Sequence, residues 1–366
     1  MTNEEIIPTI SDTNPFALGK CNTEWRWADE VPLITQKFGR RPKITPVNHH
    51  KWYVWDDKYL DKVAIENSVL YLEDGSTDAQ IQQLYKACEN TGAPHIVVTD
   101  AKIRSSISEP ENVHLINTSG LAYQYSKMFD GSGIKPTYKR KVADLKHTFL
   151  ICSSNPTQHS GQLQLLSVLE ELGILKDALY SSPEKPASDV IFAYDRLGIN
   201  THMKNLEHRV LGEEYIRFDH YLNLKTLTPL IDQCHFHVAR GQNGFNTEYQ
   251  NWGVDEKCFQ GYTTTCPVLP IWSEPDAEQM QEWGFKFKNI PSRHELESIQ
   301  DVVIRWCGEI LFYNQMTQNK DWAQSWQDSQ GENTIHNFEL LKRLHHFIWA
   351  DIEKQIDQTP KEFQNL

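Results

Sequence analysis

No two cysteines in this chain are spaced as Cys-x-x-Cys, and the seven present, at 21, 88, 152, 234, 258, 266 and 307, are odd in number. A disulfide framework and a zinc-finger-like site are therefore not expected, and reduced, intracellular thiols are. No apolar run approaches the about 18 residues that a membrane helix needs. The first residues, MTNEEIIPTISDTNPF, are acidic and have no hydrophobic core of the signal-peptide kind. A soluble cytoplasmic protein with no membrane contact is the expectation, in a host cytoplasm if the source is viral. Positive charge is scarce: 36 Lys and Arg face 49 Asp and Glu, a formal net charge of −13. That balance disfavours phosphate backbones as partners unless a local basic face exists. There is no Asp-x-Asp triplet (Asp56-Asp57 is only an adjacent pair), no Walker sequence and no Gly-x-Gly-x-x-Gly. Internal repeats and low-complexity tracts are also missing.

The chain is long, at 366 residues, which suits two α/β domains rather than one core. Residues 1–50 read as an extended lead-in, because Pro8, Pro15, Pro32, Pro42 and Pro46 interrupt it, with Trp25 and Trp27 pinning it to the body. From Lys51 short apolar runs alternate with helical periodicity. KWYVWD, SVLYLEDG, PHIVVTDA and VHLIN read as strands, and DAQIQQLYKACENTG as a helix ended by Gly92. These make an N-terminal Rossmann-like domain over 51–140. Residues 131–146 have linker composition.

The pattern then restarts. HTFLICSS, DVIFAY, CHFHVARG and PVLPIW read as strands; QLQLLSVLEELG and IQDVVIRWCGEILFYNQM read as helices. A second Rossmann-like domain over 146–345 follows. A last helix, about 335–356 within a 335–366 segment, is expected to return across the junction. Strand–helix–strand alternation argues for parallel sheets.

Two stretches carry candidate chemistry. In HTFLICSSNPTQHSG a polar turn feeds a helix N-terminus, where free N–H groups make an anion site. Ser153, Ser154, Asn155, His159 and Ser160 add donors. In CHFHVARGQNGFNTEYQNWGVDEKCFQGYTTTCPVLPIW a strand ends at Ala239, and a polar loop leads to a helix beginning near Asp255 in Asp255-Glu256-Lys257. Asp255 suits an N-cap and Glu256 complements the helix dipole. Lys257 does not, unless an anion docks there. His235 and His237 alternate on a strand with no carboxylates at metal spacing, so they read as structural or sugar-contacting.

This second stretch resembles the donor-binding segment of the α1,3-fucosyltransferases: strand, polar loop, Ser/Thr-Glu-Lys helix start, helix, Val-Pro strand. It is similar also to viral and marine-bacterial glycosyltransferase-like proteins in which a Gly-Phe-Lys-Thr-Phe-like segment follows; here that segment is Gly284-Phe285-Lys286-Phe287. The resemblance covers about residues 146–345. It implies a GT-B fold, two Rossmann-like domains facing across a cleft. It also implies a nucleotide-sugar donor, with Glu256 on the ribose and Lys257 on the diphosphate. The sequence departs from that pattern at Asp255, Cys258 and Arg240-Gly241-Gln242, so Arg240, Gln242 and Asn243 are carried as donor-contact candidates.

The expected reaction is inverting glycosyl transfer to a glycan or other hydroxyl acceptor, with no cofactor and no metal. The catalytic base is left among the strand-end carboxylates Glu73, Asp74 and Asp100. Two rival readings stay open. One is transfer to modified bases of viral DNA, for which only the basic stretch Lys135–Lys146 speaks. The other is a non-catalytic nucleotide- or glycan-binding protein on the same fold. The oligomeric state is left open.

Overall fold

A computed structural model describes residues 45–47, 57–66, 69–72, 76–100, 103, 107–152, 160–181, 224–241, 253–254, 256–287 and 299–364. By contacts the chain divides into two units. The first comprises 1–127, 250–254 and 344–366; the second comprises 128–249 and 255–343. No described helix is long and apolar enough to cross a membrane.

The first unit is built on four parallel strands in the order β1-β2-β3-β4: β1 (Thr45–Val47), β2 (Val69–Leu72), β3 (His95–Thr99) and β4 (Val113–Asn117). β1 lies inside the 1–50 lead-in, where the sequence left room for one short element. Pro46 does not prevent this, because β1 is an edge strand, where a missing N–H is tolerated. Helices α1 (Asp57–Glu66) and α2 (Asp78–Thr91) join β1 to β2 and β2 to β3. Leu60, Ile81, Leu84 and Cys88 on these helices pack with Leu70, Leu72 and Val97 of the strands in one buried cluster. The ends of α2 are fixed locally. Thr77 and Gln80 form a reciprocal capping box, and Gly92 takes the left-handed conformation, φ 62°, that closes the helix. Helix α3 (Gly120–Gly131) follows β4.

The second unit also carries four parallel strands, but in the order β6-β5-β7-β8: β5 (His147–Cys152), β6 (Leu179–Ser181), β7 (Cys234–Arg240) and β8 (Val268–Ile271). The strand after β5 lies on one side of it and the next lies on the other. The helices are α4 (Ser160–Glu171), α5 (Leu224–Ile231), α6 (Glu256–Gln260), α7 (Glu274–Glu282), α8 (Ile299–Met316) and α9 (Lys320–Asp357). One face of the sheet, with Phe149, Phe236, Val238 and Ile271, packs against α4 and α8 through Leu165, Leu169, Val302 and Trp306. Leu150, on the other face, packs with Leu227 and Ile231 of α5, and Cys234 at the start of β7 joins the same cluster. Both units are thus Rossmann-like α/β layers. The expected strands KWYVWD and DVIFAY lie outside the described residues.

Arg140 changes the reading of the basic stretch. It is buried, donating to Asp232 Oδ1 at 2.7 Å, to the Cys234 carbonyl and to Gln327 Oε1 at 3.2 Å. Gln324 holds the same segment, donating to the Arg140 carbonyl and accepting from Val142 N–H. A guanidinium with partners on several sides can be buried where a lone cation could not. Residues 140–142 are therefore pinned to β7 and α9 and are not a free linker, while Lys135, Lys139, Lys141 and Lys146 stay exposed.

Candidate functional site

The order β6-β5-β7-β8 contains a switch point: the connections leaving β5 and arriving at β7 run to opposite sides, the arrangement that in open α/β sheets places a crevice at the strands' carboxyl ends. Open α/β sheets bind ligands there. The first sheet runs β1-β2-β3-β4 and has no such reversal among its described strands. Both candidate stretches of the sequence leave this crevice, one from β5 and one from β7.

Gly241 follows β7, its N–H donating to the Ile271 carbonyl at 2.9 Å. A Cβ there would lie 2.9 Å from Asp276 Oδ2 and 3.3 Å from both Cys258 Sγ and Trp272 Cδ1. No side chain fits, so α6, the end of β8 and the start of α7 close directly on the backbone. Asp276 is held there by its capping box with Ser273, whose oxygen accepts from Asp276 N–H while Asp276 Oδ2 accepts from Ser273 N–H.

Beside Cys258, the first two residues of α6 form an ion pair. Lys257 Nζ donates to Glu256 Oε1 at 2.6 Å, and both residues are buried. The lysine that looked misplaced at a helix start has its counter-charge in the preceding residue. α6 is a single short helix of 5 residues, so its dipole opposes the cation weakly. The pair governs how the site responds to change: removal of either partner alters the balance of charge in a buried place.

Trp272, at the end of β8, is 2% exposed and its indole N–H has no hydrogen-bond partner. With Gly241 and Asp276 it belongs to the crevice, and neither Trp272 nor Asp276 was singled out from sequence. The signal was present, since PVLPIW ends on tryptophan at the carboxyl end of a strand, where ligands bind.

The backbone of Arg240 closes β7 opposite Ile271. Ser153, Ser154, Asn155 and His159 lie outside the described residues, as do Gln242, Asn243 and Asp255. In the first unit, Glu73 and Asp74 also lie outside them. Asp100 does sit just beyond the end of β3. It is buried, and its Oδ1 accepts from Thr118 Oγ1 at 2.6 Å and from Gly120 N–H at 2.8 Å. It thereby anchors the first residue of α3. Gly253 presses on the same turn, since a Cβ there would lie 2.4 Å from the Asp100 carbonyl oxygen.

The two strand histidines differ from one another. His237 is fully enclosed with neither ring nitrogen partnered, and burial lowers its pKa from 6.5 to about 3. His235 is half-buried; burial first, then the Arg140 charge, lower its pKa to about 4. Among the described residues no three His, Cys, Asp or Glu side chains are grouped to hold a metal. The described cysteines 88, 234, 258, 266 and 307 are buried and form no disulfide with one another.

No protein-family model matches the chain, and no curated protein matches it. Among solved structures, the chain is similar to one from the GtfA/B complex, at 10% identity and TM-score 0.36, over 82% of this chain and 48% of that one. This chain therefore spans about half the length of that relative. It is also similar to a UDP co-structure of S. aureus MnaA, at 12% identity and TM-score 0.37, over 89% of this chain and 87% of the other. Both scores fall below 0.5, so the functional reading rests on the crevice's own residues.

Proposed function

We propose that the chain is a nucleotide-sugar-dependent glycosyltransferase whose second unit holds the donor at the β5/β7 crevice. The observation that carries this is the buried Glu256–Lys257 pair that opens α6, next in sequence to Cys258, whose side chain packs on the Gly241 backbone after β7. A carboxylate there can accept from vicinal ribose hydroxyls, and an ammonium can neutralise a diphosphate. The likeness of the segment to the fucosyltransferase donor motif assigns the same two jobs. Arg240, the residue before Gly241, is proposed to assist at the phosphates. The anomeric C–O bond of the donor breaks with its electron pair leaving on the diphosphate. The acceptor oxygen bonds to the same carbon from the opposite face and passes its proton to a carboxylate. Glu73 and Asp74 remain the proposed bases; Asp100 is the weaker one, because its Oδ1 already serves α3. Stabilisation of the leaving group by cationic side chains is proposed to make a metal dispensable.

The ion pair dictates the test. Lys257→Ala alone would remove one charge of a buried pair, so lost binding could reflect lost stability. The neutral double substitution Glu256→Gln with Lys257→Met keeps the shape and removes both charges. Calorimetric titration with UDP, GDP, ADP and CDP should show binding of at least one by the natural chain. The double variant should lose about 1.5–3 kcal/mol of that affinity, roughly one to two decades, with Tm nearly unchanged. A natural chain that binds none of the four, or a double variant that binds as tightly, would sink the proposal. Donor turnover with EDTA present then separates an enzyme from a nucleotide-binding protein.

A further inference from the structure

The second unit contains a cavity that the donor reading does not use. It lies along β8, over Phe236, Val268 and Leu269, and measures about 90 Å³. Val268 is level with His237, three residues before the Arg240 end of β7, so the cavity flanks the sheet away from the carboxyl ends. One wall is aromatic, made of Tyr262, Phe287, Tyr313 and Trp326. The other is one face of α9. Trp326, Gln330, Asn333 and Asn337 succeed one another at four, three and four residues, which stacks them on one side of the helix.

That face is unusual. A helix lying on a sheet ordinarily turns an apolar stripe inward, as α9 does further on with Phe338, Leu341 and Leu344, all buried. Along the cavity it presents amides instead. Asn337 is explained by packing: it accepts from Lys286 N–H at 2.7 Å and donates to the Lys286 carbonyl. Gln330 and Asn333, both half-buried, are not explained that way. Tyr262 is 2% exposed, yet its hydroxyl has no hydrogen-bond partner. Burial of an unsatisfied hydroxyl costs stability, and what faces the cavity from Tyr262 is its ring.

We propose that this cavity binds a single ring of a neutral carbohydrate. Aromatic faces pack on the C–H face of a sugar ring, and side-chain amides pair with adjacent hydroxyls as both donor and acceptor. No carboxylate lines the cavity and the one charged group is Lys286, which disfavours a cation. The volume is well under the roughly 300 Å³ of pockets for drug-sized ligands, so one ring enters and a nucleotide does not. The site is separate from the donor crevice and would hold acceptor glycan or product at a distance from the chemistry.

Saturation-transfer NMR and calorimetry on the full chain test this, with glucose, galactose, N-acetylglucosamine and fucose at up to tens of millimolar. At least one sugar should bind with UDP present or absent. Asn333→Leu, at a half-buried position, should weaken it on the order of tenfold with Tm held. The Glu256→Gln/Lys257→Met variant should bind the sugar as the natural chain does, whatever becomes of its nucleotide affinity. Absence of saturable binding by all four sugars overturns the proposal. So does undiminished binding in Asn333→Leu, or loss of binding in the double variant, which would place the sugar in the donor crevice.

Discussion

Single residues here are governed by what they lack in partners. His237 sits in β7 against Gly261, where an added Cβ would come within 2.8 Å of its ring, and burial keeps it neutral down to about pH 3. Above pH 6.5 the folded and unfolded chains hold it alike, and it contributes nothing to pH dependence. Below pH 6.5 the unfolded chain takes up a proton that the folded one refuses, so stability falls as pH drops towards 3. The slope is up to about 1.4 kcal/mol per pH unit for one group. His235, lowered to about 4, adds to the same window. Urea unfolding of the natural chain and His237→Leu between pH 7 and pH 4 should show a slope smaller by about one proton in the variant; equal slopes would show that His237 titrates normally. None of this was legible in CHFHVARG, which shows only that two histidines share a strand face. Whether they are paired depends on Gly261 and Val268, which reach them only after folding. The same holds for Tyr262 and Trp272, whose unpartnered polar atoms are products of packing.

Elements were legible where their signals are local. α2 carries its own capping box and closing glycine, and α8 repeats apolar residues at three and four, so the sequence expectation and the structure agree over Ile299–Met316. α3 was missed because its cap, Asp100, lies 20 residues upstream on another turn. The start of α9 was placed near 335 instead of Lys320. Over that first stretch its inward face is polar, with Gln327 tied to Arg140 and to the His235 carbonyl, so the apolar period fails to show. Two glycines lie inside these long helices without need. A Cβ at Gly308 in α8 or Gly331 in α9 would meet nothing within 4 Å, and neither has a positive φ. Gly308→Ala and Gly331→Ala should each stabilise by about 0.8–1 kcal/mol, read as a higher urea midpoint at constant m-value. A lower midpoint for Gly331→Ala would indicate that the helix has to be weak beside the cavity.

At the scale of the molecule, the restart of strand–helix alternation made two α/β units legible, because each sheet is built from nearly consecutive segments. The membership of 250–254 in the first unit was not legible, since it joins from far along the chain; 344–366, which also joins that unit, lies in the segment expected to return across the junction. Within that unit Gln355 donates to the Asn117 carbonyl and accepts from Asn117 N–H, while His345 N–H donates to Ser126 Oγ. Separate cores mean that a ligand held by one unit stabilises that unit's local openings first. At a nucleoside diphosphate concentration of 100 times its Kd, the binding unit gains about 2.7 kcal/mol. Amide hydrogen exchange should therefore slow along β7, α6 and β8, where opening requires release of the ligand. β2 and β3 have their own buried cluster and should exchange at the rate of the free protein. The reversal of strand order at β5 predicts this asymmetry, since the described strands of the first sheet show no matching reversal. Protection centred on β2 and β3 would instead put the nucleotide on the first unit, and the Glu256–Lys257 pair would then be only a packing element of α6.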